Sequence, residues 1–305
     1  MTEIASLLRD TAAALGRSGL VSSQAEARTL VSLALGVEPA RLVLVPEVTS
    51  AQKQALADMV AQRVAGRPLQ HITGEAYFRT VTLAVGPGVF IPRPETEVLA
   101  GWAISQVEKG QRRVVELCAG SGAISLAIMT ESDPEAVWAV ERDEVACQWL
   151  ARNLEGTGAQ AVCADMAEAL HHLDGSIDIV VANPPYVPTS QRDLLPADVG
   201  HDPAAALFSG PVGLDDTVTV ARVAGRLLRG GGVVGSEHGE DQGEGVAEVL
   251  AAAGFVDISC HADLAGRPRF TTARKPNHPT IARSAAQRPA CGCSSVSSSQ
   301  HTVGT

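Results

Sequence analysis

From Arg112 onward, short apolar runs rich in β-branched residues alternate with helical segments, and this rhythm constrains the fold more than any other feature. RRVVELCAG precedes SGAISLAIMTES, AVWAVERD precedes EVACQWLARNLEG, AQAVCAD precedes a short helix, and IDIVVA runs into a long loop. The helix DDTVTVARVAGRLLRG ends in Gly230-Gly231-Gly232; then come GVVGSEH, the helix GEGVAEVLAAAGF, and the runs VDISCHAD and RFTTARK. A strand that returns through a helix lies parallel to its predecessor, so the fold class is α/β, a mostly parallel sheet with helices on both faces. The last two runs are joined by a loop alone, which predicts that the final strand inserts antiparallel.

The remainder of the chain divides by period. Residues 2–67 read as helices: Ile4, Leu7, Leu8 and Leu15 form one stripe, and Ser23 with Glu26 has the capping-box pattern ahead of Leu30, Val31 and Ala34. Ser50 is the expected cap of a third helix that ends near Gly66 and Pro68. At 74–91 the period becomes two, with Val81, Leu83 and Val85 alternating with Thr80, Thr82 and Ala84 before a Gly86-Pro87-Gly88 turn. The expected domains are a helical bundle at 1–73, a β-hairpin linker at 74–91, the sheet domain at 92–275, and a disordered Ser/Thr/Pro-rich tail at 276–305.

Charge and cysteine usage narrow the function classes. Net charge is −10, and residues 76–274 hold 27 of the 34 acids but 14 of the 24 bases. A body that acidic repels phosphate backbones, which weighs against direct nucleic-acid binding. The first ten residues, MTEIASLLRD, have neither a basic nor an apolar leader region, and no apolar run approaches the ~20 residues of a membrane helix. The six cysteines lack zinc-ligand spacing. They read as reduced thiols of a cytoplasmic chain, with no metal site and no membrane association. His71, His201 and His238 read as structural or solvent-facing with no acid–base role, and His238, which follows Glu237 at a strand end, is a candidate lining residue of the site.

In an open α/β sheet, ligands bind beyond the carboxyl ends of the strands. Four such ends carry informative residues. Glu116-Leu-Cys118-Ala119-Gly120-Ser121-Gly122 joins the first strand to a helix; its glycines permit close backbone approach, and the helix start suits a carboxylate. Glu141 ends the next strand, about 20 residues on, where an acid can bridge the two hydroxyls of a ribose. Asp165 can accept from an adenine amino group, and Met166 can pack on the ring. The turn lacks a following Gly-Lys-Ser/Thr and lacks the third glycine of the dinucleotide pattern. The expected ligand is therefore a nucleoside joined to a carboxylate-bearing group rather than a polyphosphate, a description that S-adenosyl-L-methionine meets.

The fourth strand end is Asn183-Pro184-Pro185-Tyr186. Proline has no N–H, so the carbonyl of Pro184 stays free and rigidly aimed. The side-chain oxygen of Asn183 is a second acceptor. Two converging acceptors bind the two hydrogens of a planar –NH2, and Tyr186 can stack on that plane. Such a nitrogen is a poor nucleophile; fixing it and favouring its pyramidal form is catalysis by positioning and electrostatics.

Taken together, these residues make the chain resemble the class I methyltransferases that act on planar nitrogen. More narrowly, it is similar to the HemK/PrmC family of release-factor glutamine N5-methyltransferases. The resemblance covers roughly 5–275 and rests on Pro68-Leu-Gln-His71-Ile-Thr-Gly74, Ile91-Pro-Arg93-Pro-Glu95-Thr-Glu97, the Glu116–Gly122 loop, Asn183–Tyr186 and Glu237-His238-Gly239. It implies a Rossmann-like seven-stranded sheet and a helical N-terminal domain that helps dock the partner. By the resemblance, Cys118–Gly122 cradle the methionine part of the cofactor, Glu141 the ribose and Met166 the adenine. Asn183 touches both cofactor and substrate, and Asn183, Pro184, Pro185 and Tyr186 grip the glutamine of the Gly-Gly-Gln loop in class-1 peptide-chain release factors. The expected acting unit is a monomer. His201-Asp202-Pro203 departs from the Glu-Pro common in that family. Because Asn-Pro-Pro-Tyr is shared more widely, an N6-adenine or other nucleic-acid amino methyltransferase is the alternative enzyme. A non-catalytic cofactor-binding adaptor is the alternative from another class.

Overall fold

The computed structural model describes residues 3–194 and 200–277. Its first helices, α1 (Glu3–Arg17) and α2 (Ser23–Leu35), pack through Ile4, Leu15, Leu30 and Val31. The expected capping box at Ser23 is not formed. Ser23 is already helical, and Ser22 takes the cap position without a side-chain bond. Glu26 instead receives Arg63 Nε at 2.6 Å and Nη2 at 3.2 Å. A two-pronged ion pair to a buried guanidinium outcompetes a solvent-facing cap.

The third helix, α3 (Ser50–Val64), is capped one residue earlier than expected: Thr49, not Ser50, exchanges bonds with Gln52. A 3-10 turn at Pro39–Leu44 and the short α4 (Leu69–Thr73) have no strong period and were not expected.

Strands β1 (Glu75–Phe78) and β2 (Val81–Ala84) pair antiparallel. Val81, Leu83 and Val85 point inward and Thr80 and Thr82 outward, following the alternation. This hairpin is no loose tether. Phe78, Leu83 and Val85 share a core cluster with Leu99, Ile124 and Ile128 of the sheet domain.

The sheet domain continues with α5 (Glu97–Glu108), β3 (Arg113–Leu117), α6 (Ala123–Glu131), β4 (Ala136–Glu141), α7 (Glu144–Leu154), β5 (Gln160–Cys163) and β6 (Ile177–Ala182). A turn and a 3-10 segment at His171–Leu173 replace the short helix expected after β5. Then follow α8 (Ala204–Leu207), α9 (Asp215–Leu227), β7 (Leu228–Glu237), α10 (Gly243–Ala252), β8 (Val256–Ala262) and β9 (Pro268–Arg274). The sheet order is β5-β4-β3-β6-β7-β9-β8. Strands β5 to β7 are parallel, and β9 lies antiparallel between β7 and β8, as the loop connection predicts. One face of the sheet packs with α5 and α6 against the hairpin. The other packs Val115, Leu117, Val180 and Val234 under α9 and α10.

Two expectations change here. Gly230-Gly231-Gly232 does not end a helix but lies inside β7, whose pairing with β6 has a register shift between Ile177 and Ile179. Cys147 and Cys163 are not separate thiols: they form a disulfide, with Cα atoms 5.7 Å apart. The β4–α7–β5 unit folds back on itself, which brings together two cysteines 16 residues apart. Cys291 and Cys293, like the tail from 278 onward, lie outside the described residues. No helix among the described residues is long and apolar enough to cross a membrane.

Candidate active site

Strands β3 and β6 are neighbours in the sheet although β4 and β5 lie between them in sequence. The chain winds outward on one side of this junction and returns on the other, and that opens a crevice at the strand ends. A cavity of about 300 Å³ occupies it. Glu116, Cys118, Ala119, Gly120, Ser121, Glu141, Asp165, Met166, Asn183, Pro184, Pro185 and Tyr186 all line this cavity, so four separate strand ends converge on it. Gly122 does not line it. At φ 83 it caps α6, and a Cβ there would meet Leu150 at 2.7 Å, so this glycine serves helix packing instead.

The glycine turn and the acid one strand later are physically joined. Gly120 N–H donates to Glu141 Oε2 at 2.9 Å, and Glu141 Oε1 accepts from the N–H groups of Arg142 (2.8 Å) and Asp143 (2.9 Å). A carboxylate has about four lone-pair sites. Three are engaged here, which holds the side chain still and leaves acceptor capacity on Oε2. Cys118 has φ 56, unusual outside glycine, and its sulfur lies 3.8 Å from that of Met166. Burial, then the field of Glu141 and Asp216, pushes the Cys118 thiol far up, so it stays neutral. The same negative field favours a cation in the cavity.

Glu116 is 2% exposed and accepts from the Ser125 backbone N–H at 2.8 Å and from the Ser125 hydroxyl. Burial pushes it up to about 7, against those bonds. Asp165 accepts from Ala167 N–H at 2.8 Å, so one oxygen caps the turn while the residue still faces the cavity.

At the end of β6, Pro184 and Pro185 are buried and Asn183 and Tyr186 half-buried. Asn183 Nδ2 donates to Thr96 Oγ1 at 3.2 Å. The carbonyl of Tyr186 accepts from Gln242 Nε2 at 2.9 Å, and its hydroxyl donates to Glu237 Oε1 at 3.4 Å. Burial and the neighbouring Glu237 push the Tyr186 phenol up, so it stays protonated. His238 is fully buried, with its ring nitrogens on Thr271 and Gly239, and lies outside the cavity lining.

Sequence reasoning missed the wall contributed by Phe90, Arg93 and Thr96, and Asp216 on α9. The first three lie in or beside the Ile91–Glu97 segment, which carries the family resemblance but has no role assigned by the sequence pattern. Asp202 is buried there: it takes Arg93 in an ion pair and accepts from Ile91 N–H at 3.3 Å. The residue that departs from the common Glu-Pro pattern thus pins this wall in place.

Most of the chain matches known protein families. Residues 6–74 match the family model of the PrmC N-terminal domain, and residues 85–198 match the methyltransferase small domain. A release factor glutamine methyltransferase of Streptomyces coelicolor is 44% identical over 86% of this chain and 94% of its own length. That of Mycolicibacterium smegmatis is 38% identical over 90% and 99%. Among solved structures, the hMettl16 catalytic domain matches with a TM-score of 0.53 at 15% identity, over 74% of this chain and 84% of that one, a likeness of fold. With both family models in sequence order and relatives matched nearly end to end, the chain belongs to the release factor glutamine methyltransferase family.

Proposed function

We propose that this enzyme transfers a methyl group from S-adenosyl-L-methionine to the side-chain nitrogen N5 of the glutamine in the Gly-Gly-Gln motif of class-1 release factors. The observation that carries the reading is the acceptor corner of Asn183 and Pro184 on the same cavity as the Gly120–Glu141 turn. The cavity fits the cofactor by its chemistry. Glu141 retains acceptor capacity for a ribose hydroxyl, Met166 and Cys118 offer a neutral, polarizable surface for adenine, and Glu116, Glu141 and Asp216 suit a positive ligand. When bound, S-adenosyl-L-methionine supplies a methyl group made electrophilic by its sulfonium.

The chain's own residues then position the acceptor. Asn183 Oδ1 and the Pro184 carbonyl take the two N–H hydrogens, and Tyr186, held by Gln242 and Glu237, covers the amide plane. Two acceptors on one –NH2 localise its lone pair and fix its direction, the positioning term of catalysis. No side chain need serve as a strong base, because an N-alkylated amide gives up its extra proton to water.

The acting unit is read as one chain in the cytoplasm, where release factors meet the ribosome. The acidic body disfavours nucleic acid as substrate. The deciding experiment offers labelled cofactor to a whole release factor, its Gly-Gly-Gln peptide and plasmid DNA, with mass spectrometry of the products. Label on the factor glutamine is expected. Label in DNA alone would overturn the reading in favour of an adenine methyltransferase, and cofactor binding without turnover would favour an adaptor.

A further inference from the structure

An asparagine amide can face a site with either end, and the two ends have opposite hydrogen-bonding character. A grip on –NH2 works only if oxygen faces the cavity. Something behind Asn183 must therefore choose the orientation. Behind it stands Thr96, whose hydroxyl oxygen receives Asn183 Nδ2 at 3.2 Å. Thr96 in turn is the hydroxyl neighbour of Glu237, which is 2% exposed.

We infer that Thr96 is a positioning residue that turns the Asn183 amide so that its oxygen faces the acceptor nitrogen. The inference rests on the amide-grip reading above and adds a residue to it. A threonine hydroxyl has one hydrogen. Glu237 Oε2 lacks a hydrogen bond of standard geometry, and the Thr96 hydroxyl is the neighbour that most favours its charged form. A buried carboxylate oxygen left without a donor costs about 1–3 kcal/mol. The hydrogen of Thr96 is therefore drawn to Glu237, and only a lone pair remains for Asn183. A lone pair can meet only the NH2 end, so Oδ1 is left for the cavity. In the reverse orientation Glu237 loses that donor, and Nδ2 confronts the substrate –NH2 donor to donor.

The relay has a protonation state. Glu237 is pushed up to about 7, chiefly by burial and also by Glu95 from the segment before α5; Arg269 on β9 and the Tyr186 hydroxyl oppose this. Ionised, Glu237 accepts only. Protonated, it can donate to Thr96 and release the Thr96 hydrogen toward Asn183, which undoes the orientation. Turnover therefore rises as pH rises through about 7.

The test uses the full chain with whole release factor. Labelling by wild type establishes the reading itself; the variants test the inference. Thr96→Val should lower kcat about 100-fold, the scale of one lost electrostatic contact at a reacting centre. KM for the factor and Kd for the cofactor should hold, and the pH step near 7 should shrink to what Glu116 alone contributes. Thr96→Ser, which keeps the hydroxyl, should restore both rate and step. Unchanged kcat in Thr96→Val overturns the inference, as does Thr96→Ser falling equally far, which would assign the effect to the methyl group's packing. If Thr96→Val fails to fold, Glu237→Gln carries the test: the same shrinkage of the pH step supports the relay, and a wild-type profile overturns it.

Discussion

At the scale of single residues, the buried carboxylates tie the site to pH. Glu116 has its carboxyl raised from an ordinary 4.5 to about 7 by burial. The folded chain therefore binds more protons than the unfolded one between these values. The stability this group contributes is full below 4.5 and is lost as pH rises through about 7. His71, His238 and His261 are lowered by burial and act in the opposite sense below 6.5, so the informative quantity is a difference between proteins. Glu116→Gln should shrink the fall in Tm between pH 5 and pH 7.5 relative to wild type. Parallel Tm–pH curves would show that Glu116 does not ionise across that range. The cavity residues at strand ends were legible because the strand-turn-helix pattern places them there whatever else the chain does. Thr96 was not, because its role comes from a hydrogen bond across 87 positions of sequence. Asn153 was hidden for the same reason. In the last turn of α7 it looks like a solvated amide, yet it donates to the carbonyls of Ala84 and Ser121 at 2.9 Å each and so straps the hairpin to the glycine turn.

At the scale of elements, the period of the apolar residues placed every strand of the large sheet, and the loop between the last two runs foretold the antiparallel insertion. What escaped was local competition. Glu26 left its cap for Arg63, and three glycines that look like a helix stop lie inside β7, where the pairing with β6 skips from Leu228 to Val233 and Gly231 and Gly232 bond the backbone of Lys275 instead. The loop after the acceptor corner has a testable contact of the same kind. Gly213 sits at φ 78, and a Cβ there would lie 2.2 Å from the Tyr186 carbonyl oxygen and 2.5 Å from Gln242 Nε2. Backbone cannot yield as a flexible side chain does. Gly213→Ala should cost about 1–3 kcal/mol and displace the corner, lowering Tm and kcat together. Gly175→Ala, at φ 68 with nothing within 4 Å, is the control: it carries the strain alone and should leave kcat intact. Equal kcat for the two variants would show that the Gly213 contact does not reach Tyr186.

At the scale of the whole molecule, the helical bundle keeps its own apolar core, built on Leu15, Leu30, Val31 and Leu56, apart from the two clusters that flank the sheet. We propose that it serves docking of the large partner and contributes nothing to the cofactor cavity, whose lining begins at Gly88. A chain lacking 1–73 should keep wild-type cofactor affinity by calorimetry and methylate a short Gly-Gly-Gln peptide as before, while kcat/KM for the whole factor falls. Equal loss on peptide and factor would show that the bundle supports the catalytic fold itself.

The antiparallel position of β9 has a consequence for how the protein is made. The strand synthesised last of the seven fills an interior slot and carries Arg269 and Thr271 in beneath the site. Until it emerges from the ribosome, β7 and β8 each present a bare edge, the kind of surface on which nascent chains stick to one another. A message cut just short of Pro268 would thus yield an aggregation-prone product rather than a slightly shorter enzyme.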